Sequence, residues 1–173
     1  MSVITKRGDQ GLTDTMFGGR VPKNSPNVVA SGVVDELNAC VGLARTTAGM
    51  PEAVIAILHQ IQEKLIGLMG EISVDPEARE KYYEKGYLRI VSEDIGWLEN
   101  LASEMETKFQ GWVKPGENGS HPAAHLDHCR TVCRRAEITA WSLGDGAPEF
   151  GPLFLNRLSD VFWLLSREVE KAK

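Results

Sequence analysis

Between Ser25 and Val169 apolar residues return every third or fourth position in five successive stretches, and sustained apolar–polar alternation is missing. In the second stretch the series is Leu58, Ile61, Leu65, Leu68 and Ile72. A helix with one apolar stripe is stable only when the stripe is covered, and here the available covers are the other helices. The pattern therefore predicts an all-α bundle of five helices.

The breakers set the boundaries. Ser25-Pro26 starts the first helix, with a hydroxyl at the cap and a proline where a missing N–H costs nothing, and the helix ends near Gly49. The second runs from Pro51 until Asp75-Pro76 stops it; Gly67 and Gly70 within it are expected to permit close helix contact. A connector rich in Glu, Lys and Tyr follows. Ser92 is expected to cap the third helix, with Glu93 and Asp94 where the macrodipole favours acids. Glycine and proline make residues 109–120 a loop. The fourth helix spans about Ser120 to Leu143 and the fifth about Pro152 to Val169. At 173 residues one domain is expected, a helical bundle over 25–173 preceded by an N-terminal loop over 1–24.

Charge and cysteines narrow the function classes. A net charge of −5 argues against a general nucleic-acid binder, which needs surplus Lys and Arg. No apolar run is long enough to span a bilayer, and no apolar leader segment opens the chain. Cys129 and Cys133 lie one helical turn apart, which suits a disulfide poorly, and Cys40 is left over. Free thiols in a reducing cytoplasm are the expectation, and without a CxxC no structural zinc site is expected.

Three groups of residues carry possible chemistry. At roughly 100° per residue, Arg130, Arg134, Glu137 and Trp141 share one stripe of the fourth helix. Such a stripe suits an oxyanion, which a guanidinium fork binds in bidentate fashion, or it is a solvated face with an Arg134–Glu137 ion pair. His121, His125 and His128 line another face; they serve the surface or a subunit contact, or they form a metal-binding module. In the opening stretch ITKRGDQGLTDT, Gly8 and Gly11 allow backbone N–H groups to face an anion, Thr5, Thr13 and Thr15 add hydroxyls, and Lys6 and Lys23 add charge. A glycine-bearing tail without a ligand has the same composition.

TKRGDQGLTDT, GGRVPKNSPNVVASGVVDELNACVGLA, RTVCRRAE and LNRLSD occur in the order and spacing of the PduO-type ATP:cob(I)alamin adenosyltransferases, and the chain resembles that family over essentially its whole length. The resemblance implies a trimer of ferritin-like five-helix bundles with active sites between subunits. It implies ATP and cobalamin as substrates, Mg²⁺ with the nucleotide, and transfer of the 5′-deoxyadenosyl group to cobalt with loss of triphosphate. A flavin-dependent corrinoid reductase and an adenosylcobalamin-dependent enzyme are the implied partners.

By the same resemblance, Thr5, Lys6, Gly8, Asp9, Gly11, Thr13 and Lys23 fall on the nucleotide-binding segment, a lid that orders on ATP. Arg130, Arg134, Glu137 and Asn156 fall on the other ATP contacts, and Asp35 on a partner of Arg130 across the subunit boundary. Trp112 matches the position of an aromatic that crowds the lower face of the corrin; a loop anchor is the other reading. Arg157 and Asp160 lie inside the last motif, in a structural or a contact role.

The chain departs from the family pattern at Trp112, Lys114, Glu117, Asn24, Asn27 and Asp127. Asp127, where histidine is common, stands three residues before Arg130 and is placed to compete with Asp35 for it. These departures keep a second expectation alive, a carrier or sensor of the same fold that binds ATP or adenosylcobalamin without efficient turnover.

Overall fold

The computed structural model describes residues 4–17, 19–105, 107 and 111–171. A hairpin of β1 (Leu12–Asp14) and β2 (Arg20–Pro22) precedes α1 (Pro26–Arg45) and α2 (Glu52–Ile72). A 3₁₀ turn and the short α3 (Arg79–Glu84) lead to α4 (Ser92–Glu104), α5 (His121–Trp141) and α6 (Gly151–Lys171). The five long helices are those expected from the apolar spacing.

Their burial follows the sequence pattern. The α1 stripe of Ala30, Val34, Leu37, Val41 and Ala44 is fully buried, as are Leu58, Ile61, Leu65 and Leu68 of α2. Each such Leu, Ile or Val contributes roughly 1.5–3 kcal/mol by leaving water. α5 lies between α1 and α6, with α2 packed on α1 and α4 on α6. That central place buries Leu126, Val132, Cys133 and Ala136 of α5 and turns its remaining faces outward. Pro26 opens α1 as expected, but the Ser25 hydroxyl donates to the Pro22 carbonyl at 2.7 Å instead of capping the helix. The helix ends at Arg45, before Gly49, and there Thr46 and Thr47 donate to the Gly42 and Leu43 carbonyls at 2.9 and 2.7 Å.

Four further expectations need correction. The connector is not irregular throughout, because α3 forms within it and buries Tyr82. Ser92 is the first residue of α4 rather than its cap; the Asp94 carboxylate reaches back to accept the Val91 N–H at 3.0 Å and is paired with Lys64. The opening stretch contains strands, too short at three residues each to show a period. Gly67 and Gly70 admit the connector rather than another long helix. A Cβ on Gly67 would lie 3.1 Å from the Leu88–Arg89 backbone, and one on Gly70 would lie 2.2 Å from the Tyr82 hydroxyl.

That last contact makes a prediction. The Tyr82 hydroxyl donates to the Leu88 carbonyl at 2.6 Å, so it has nowhere cheap to go. Gly70→Ala is expected to destabilise the fold by about 1–3 kcal/mol through overpacking. Gly96→Ala, in α4 with open space around it, is expected to be neutral or stabilising. Urea midpoints compare the two, and a neutral Gly70→Ala would mean the connector is not seated on α2.

Candidate functional site

The N-terminal hairpin is turned tightly and tied to the bundle. Lys6 and Gly11 both have left-handed backbone (φ 57° and 76°), and the Lys23 N–H closes the hairpin on the Gly11 carbonyl at 2.8 Å. Gly8 leaves the space that the Lys23 ammonium occupies; a Cβ there would sit 2.7 Å from Nζ. Asp14 pairs with Arg7 at 3.0 Å and with Arg20 at 3.4 Å, and Arg20 also donates to the Arg7 carbonyl at 2.6 Å. At its far end Met16 N–H meets the Ser73 carbonyl at 3.3 Å, and the Thr15 hydroxyl donates to Asp75 at 3.4 Å.

Thr5, Lys6, Gly8, Asp9, Thr13 and Lys23 line a cleft of about 350 Å³ within this segment. Gly11 shapes the turn without lining it. Thr13 also lines an adjoining cleft of about 410 Å³, whose other wall is the start of α1 with Asn27, Ser31 and Asp35. Asp35 is exposed there.

A separate cleft of about 560 Å³ lies between α5, α6 and the loop before α5. It is lined by Arg130 and Arg134 from one helix, by Asp160, Trp163 and Leu164 from the other, and by Trp112 and Val113 from the loop. Two guanidiniums, with Asp127 and Asp160 also in the lining, beside aromatic and aliphatic side chains suit a ligand with an anionic end and an apolar body. Trp112 stands 92% exposed at the rim of this cleft.

Glu137 and Asn156 lie beside the cleft rather than in its lining. The Asn156 amide donates to Glu137 at 3.0 Å, while Arg157 donates to Asn156 at 2.8 Å and to Glu99 at 3.0 Å. The solvated ion-pair reading of the α5 stripe therefore does not hold at Arg134: Glu137 is taken by Asn156, and among the described residues Arg134 has no ion pair. Arg130 does have one, with Asp127 at 3.4 Å. Asp35 and Arg130 line different clefts of the same chain and are not paired within it.

His121 and His128 are exposed and His125 is half-buried. No three His, Cys, Asp or Glu side chains converge as a metal site among the described residues. The three thiols are free and buried, and burial pushes the Cys129 and Cys133 thiols well above their ordinary range, which makes them poor nucleophiles and ligands. No helix among the described residues is long and apolar enough to cross a membrane.

Sequence reasoning missed Arg7, Asp14 and Arg20 as the braces of the hairpin, and it missed Arg167. Arg167 is buried and pairs with Asp127 at 2.6 Å across α5 and α6. A lone arginine near the end of a helix gives no signal distinct from a surface charge, and only the packing of two helices reveals it.

Residues 3–169 match the sequence profile of the family described as cobalamin adenosyltransferase. A cobalamin adenosyltransferase from Cupriavidus metallidurans is 37% identical over 98% of this chain and 89% of its own length. A corrinoid adenosyltransferase from Bacillus subtilis is 32% identical over 98% of this chain and 86% of its own. Among solved structures, a variant of the PduO-type ATP:corrinoid adenosyltransferase from Lactobacillus reuteri, complexed with cobalamin and ATP, matches with a TM-score of 0.84. Identity is 26%, over 98% of this chain and 94% of that one. The likeness holds from end to end in residue order and again in backbone shape, and the chain belongs to the cobalamin adenosyltransferase family.

Proposed function

We propose that this chain transfers the 5′-deoxyadenosyl group of ATP to the cobalt of cob(I)alamin. The observation that carries the reading is the cleft in which Arg130 and Arg134 stand with Trp112, Trp163 and Leu164, two guanidiniums beside an apolar surface, with Asp127 and Asp160 also in the lining. Cobalt(I) supplies an electron pair to C5′, the cobalt–carbon bond forms as the C5′–O bond breaks, and triphosphate leaves with the bonding pair. Cobalt rises formally by two oxidation units as it takes the alkyl group, so cob(I)alamin and ATP are the two reactants consumed and no separate oxidant or reductant enters the step.

No proton is moved in that step, so the site requires no acid–base dyad. The protein's part is to hold C5′ in line with cobalt and to stabilise charge building on the leaving group. Arg130 and Arg134 serve the phosphates, with Glu137 and Asn156 fixing the α5–α6 wall beside them. Thr5, Lys6, Asp9, Thr13 and Lys23 of the hairpin form the other half of the nucleotide site, with Gly8 and Gly11 shaping its turn.

In one chain the two halves lie in different clefts, so the reading requires a second copy to bring a hairpin to the arginine cleft. A homotrimer with Asp35 meeting the partner's Arg130 is the arrangement we propose. Magnesium would arrive with the nucleotide, whose phosphate oxygens are its ordinary ligands, since no resident carboxylate cluster is found among the described residues. Trp112 would close over the corrin and exclude solvent from its lower face. Buried free thiols favour a reducing cytoplasm, where a flavin-dependent reductase would supply cob(I)alamin and an adenosylcobalamin-dependent enzyme would take the product.

The carrier or sensor reading is favoured by one observation. Lys114 and Glu117 pair at 3.6 Å in the Trp112 loop, charges where the family pattern has an apolar residue and a glycine. A single anaerobic experiment separates the two. Protein, ATP, Mg²⁺ and chemically reduced cob(I)alamin are mixed and the corrin spectrum followed. Conversion to the light-sensitive adenosylcobalamin spectrum is expected. ATP binding without conversion would overturn the enzyme reading in favour of the carrier.

A further inference from the structure

We infer that Arg167 is a positioning residue: it holds Asp127 from behind and thereby leaves Arg130 available to the anion in the α5–α6 cleft. The inference rests on the proposed role of Arg130.

Four charged side chains run in a row from the interior to the cleft. Glu170 lies 3.2 Å from Nη1 of Arg167, Nη2 of Arg167 donates to Oδ2 of Asp127 at 2.6 Å, and Oδ1 of Asp127 lies 3.4 Å from Nε of Arg130. Side-chain exposure is 9% for Glu170, 7% for Arg167 and 5% for Asp127, then rises to 22% at Arg130. Ser166 accepts from Nε and Nη2 of Arg167 and so fixes its rotamer. The row is neutral overall, two anions alternating with two cations, and only its last member reaches the cleft wall together with Asp127.

A carboxylate as buried as Asp127 needs a cation, because an unpaired charge in the interior is strongly disfavoured. Arg167 meets that need at the shorter distance, so Asp127 touches Arg130 through one oxygen only and at its Nε. Both terminal nitrogens of the Arg130 fork are left, with no hydrogen bond to protein from them among the described residues. Without Arg167, Arg130 would be the remaining cation for Asp127. Its guanidinium would be drawn inward and its field toward the cleft cancelled. The same logic resolves the competition expected between Asp127 and Asp35: Arg167 takes up Asp127, and Arg130 keeps a free fork.

The test is kinetic, with cob(I)alamin and ATP varied separately and helix content checked by circular dichroism. Arg167→Met is expected to lower kcat/KM for ATP about tenfold, with KM for cob(I)alamin within about twofold of the parent. Adding Asp127→Asn removes the charge that captures Arg130, and the double variant is expected to recover about threefold or more. General destabilisation would affect both substrates and would not be relieved by a second substitution. If Arg167→Met does not fold, Arg167→Lys keeps a cation but loses the fork, and a smaller loss of about threefold, again relieved by Asp127→Asn, is expected. Parental kinetics in the folded Arg167 variant, or no recovery in the double, overturns the inference. A parental rate in Arg130→Ala would instead overturn the functional reading beneath it.

Discussion

Arg130→Ala is expected to slow adenosylation of cob(I)alamin by about 100-fold, the scale seen when one preorganised donor facing developing charge is removed. The triphosphate gains charge as the C5′–O bond breaks, and Arg130 lies on the cleft wall with only 22% of its side chain exposed. There its charge is less screened than on an open surface, and Asp127 already holds the guanidinium, so little reorganisation accompanies the reaction. An interaction that strengthens toward the transition state acts on kcat more than on KM, and the split between them is the measurement. Asp127 keeps Arg167 as its partner in the variant, so the fold is expected to survive. A folded variant with parental kcat would remove Arg130 from the site. A rise in KM alone would reduce it to a ground-state contact.

Phe162→Ala is expected to destabilise the bundle by about 3–5 kcal/mol. The ring is fully buried in α6, the helix that packs most extensively on α5. It cannot be refilled cheaply, because the neighbouring Leu158 and Leu165 are themselves buried and committed to the same core. Since α6 also supplies Asn156, Asp160, Trp163 and Arg167, its packing sets where those groups stand against α5. Guanidinium denaturation measures the loss. A change below about 1 kcal/mol would mean that α6 relaxes into the space.

The long helices were legible because each needs one buried stripe, and an apolar residue every three or four positions announces it. Leu58, Ile61, Leu65, Leu68 and Ile72 are all buried as their spacing implies. The α5 stripe was legible from the same spacing: Arg130 and Arg134 stand one turn apart on one side of the helix, and both line the α5–α6 cleft. Less could be read where a contact joins distant parts of the chain. The glycines of α2 pointed to a close approach without saying to what, and Tyr82, twelve residues beyond Gly70, proved to be the neighbour. Ser92 had the chemistry of a cap, but Asp94 performs the role, with Lys64 of α2 as its partner.

The sequence by itself determined the all-α class, the five long helices and the alignment of Arg130 and Arg134 on one stripe of α5, because these depend on periodicity within single helices. Tertiary structure alone decided that Asp127 belongs to Arg167 as much as to Arg130, and that Glu137 belongs to Asn156 rather than Arg134. It also decided that the hairpin cleft and the arginine cleft of one chain are separate. Ion pairs and clefts form between helices, and which charge meets which depends on their relative rotation and height, quantities that no local pattern encodes.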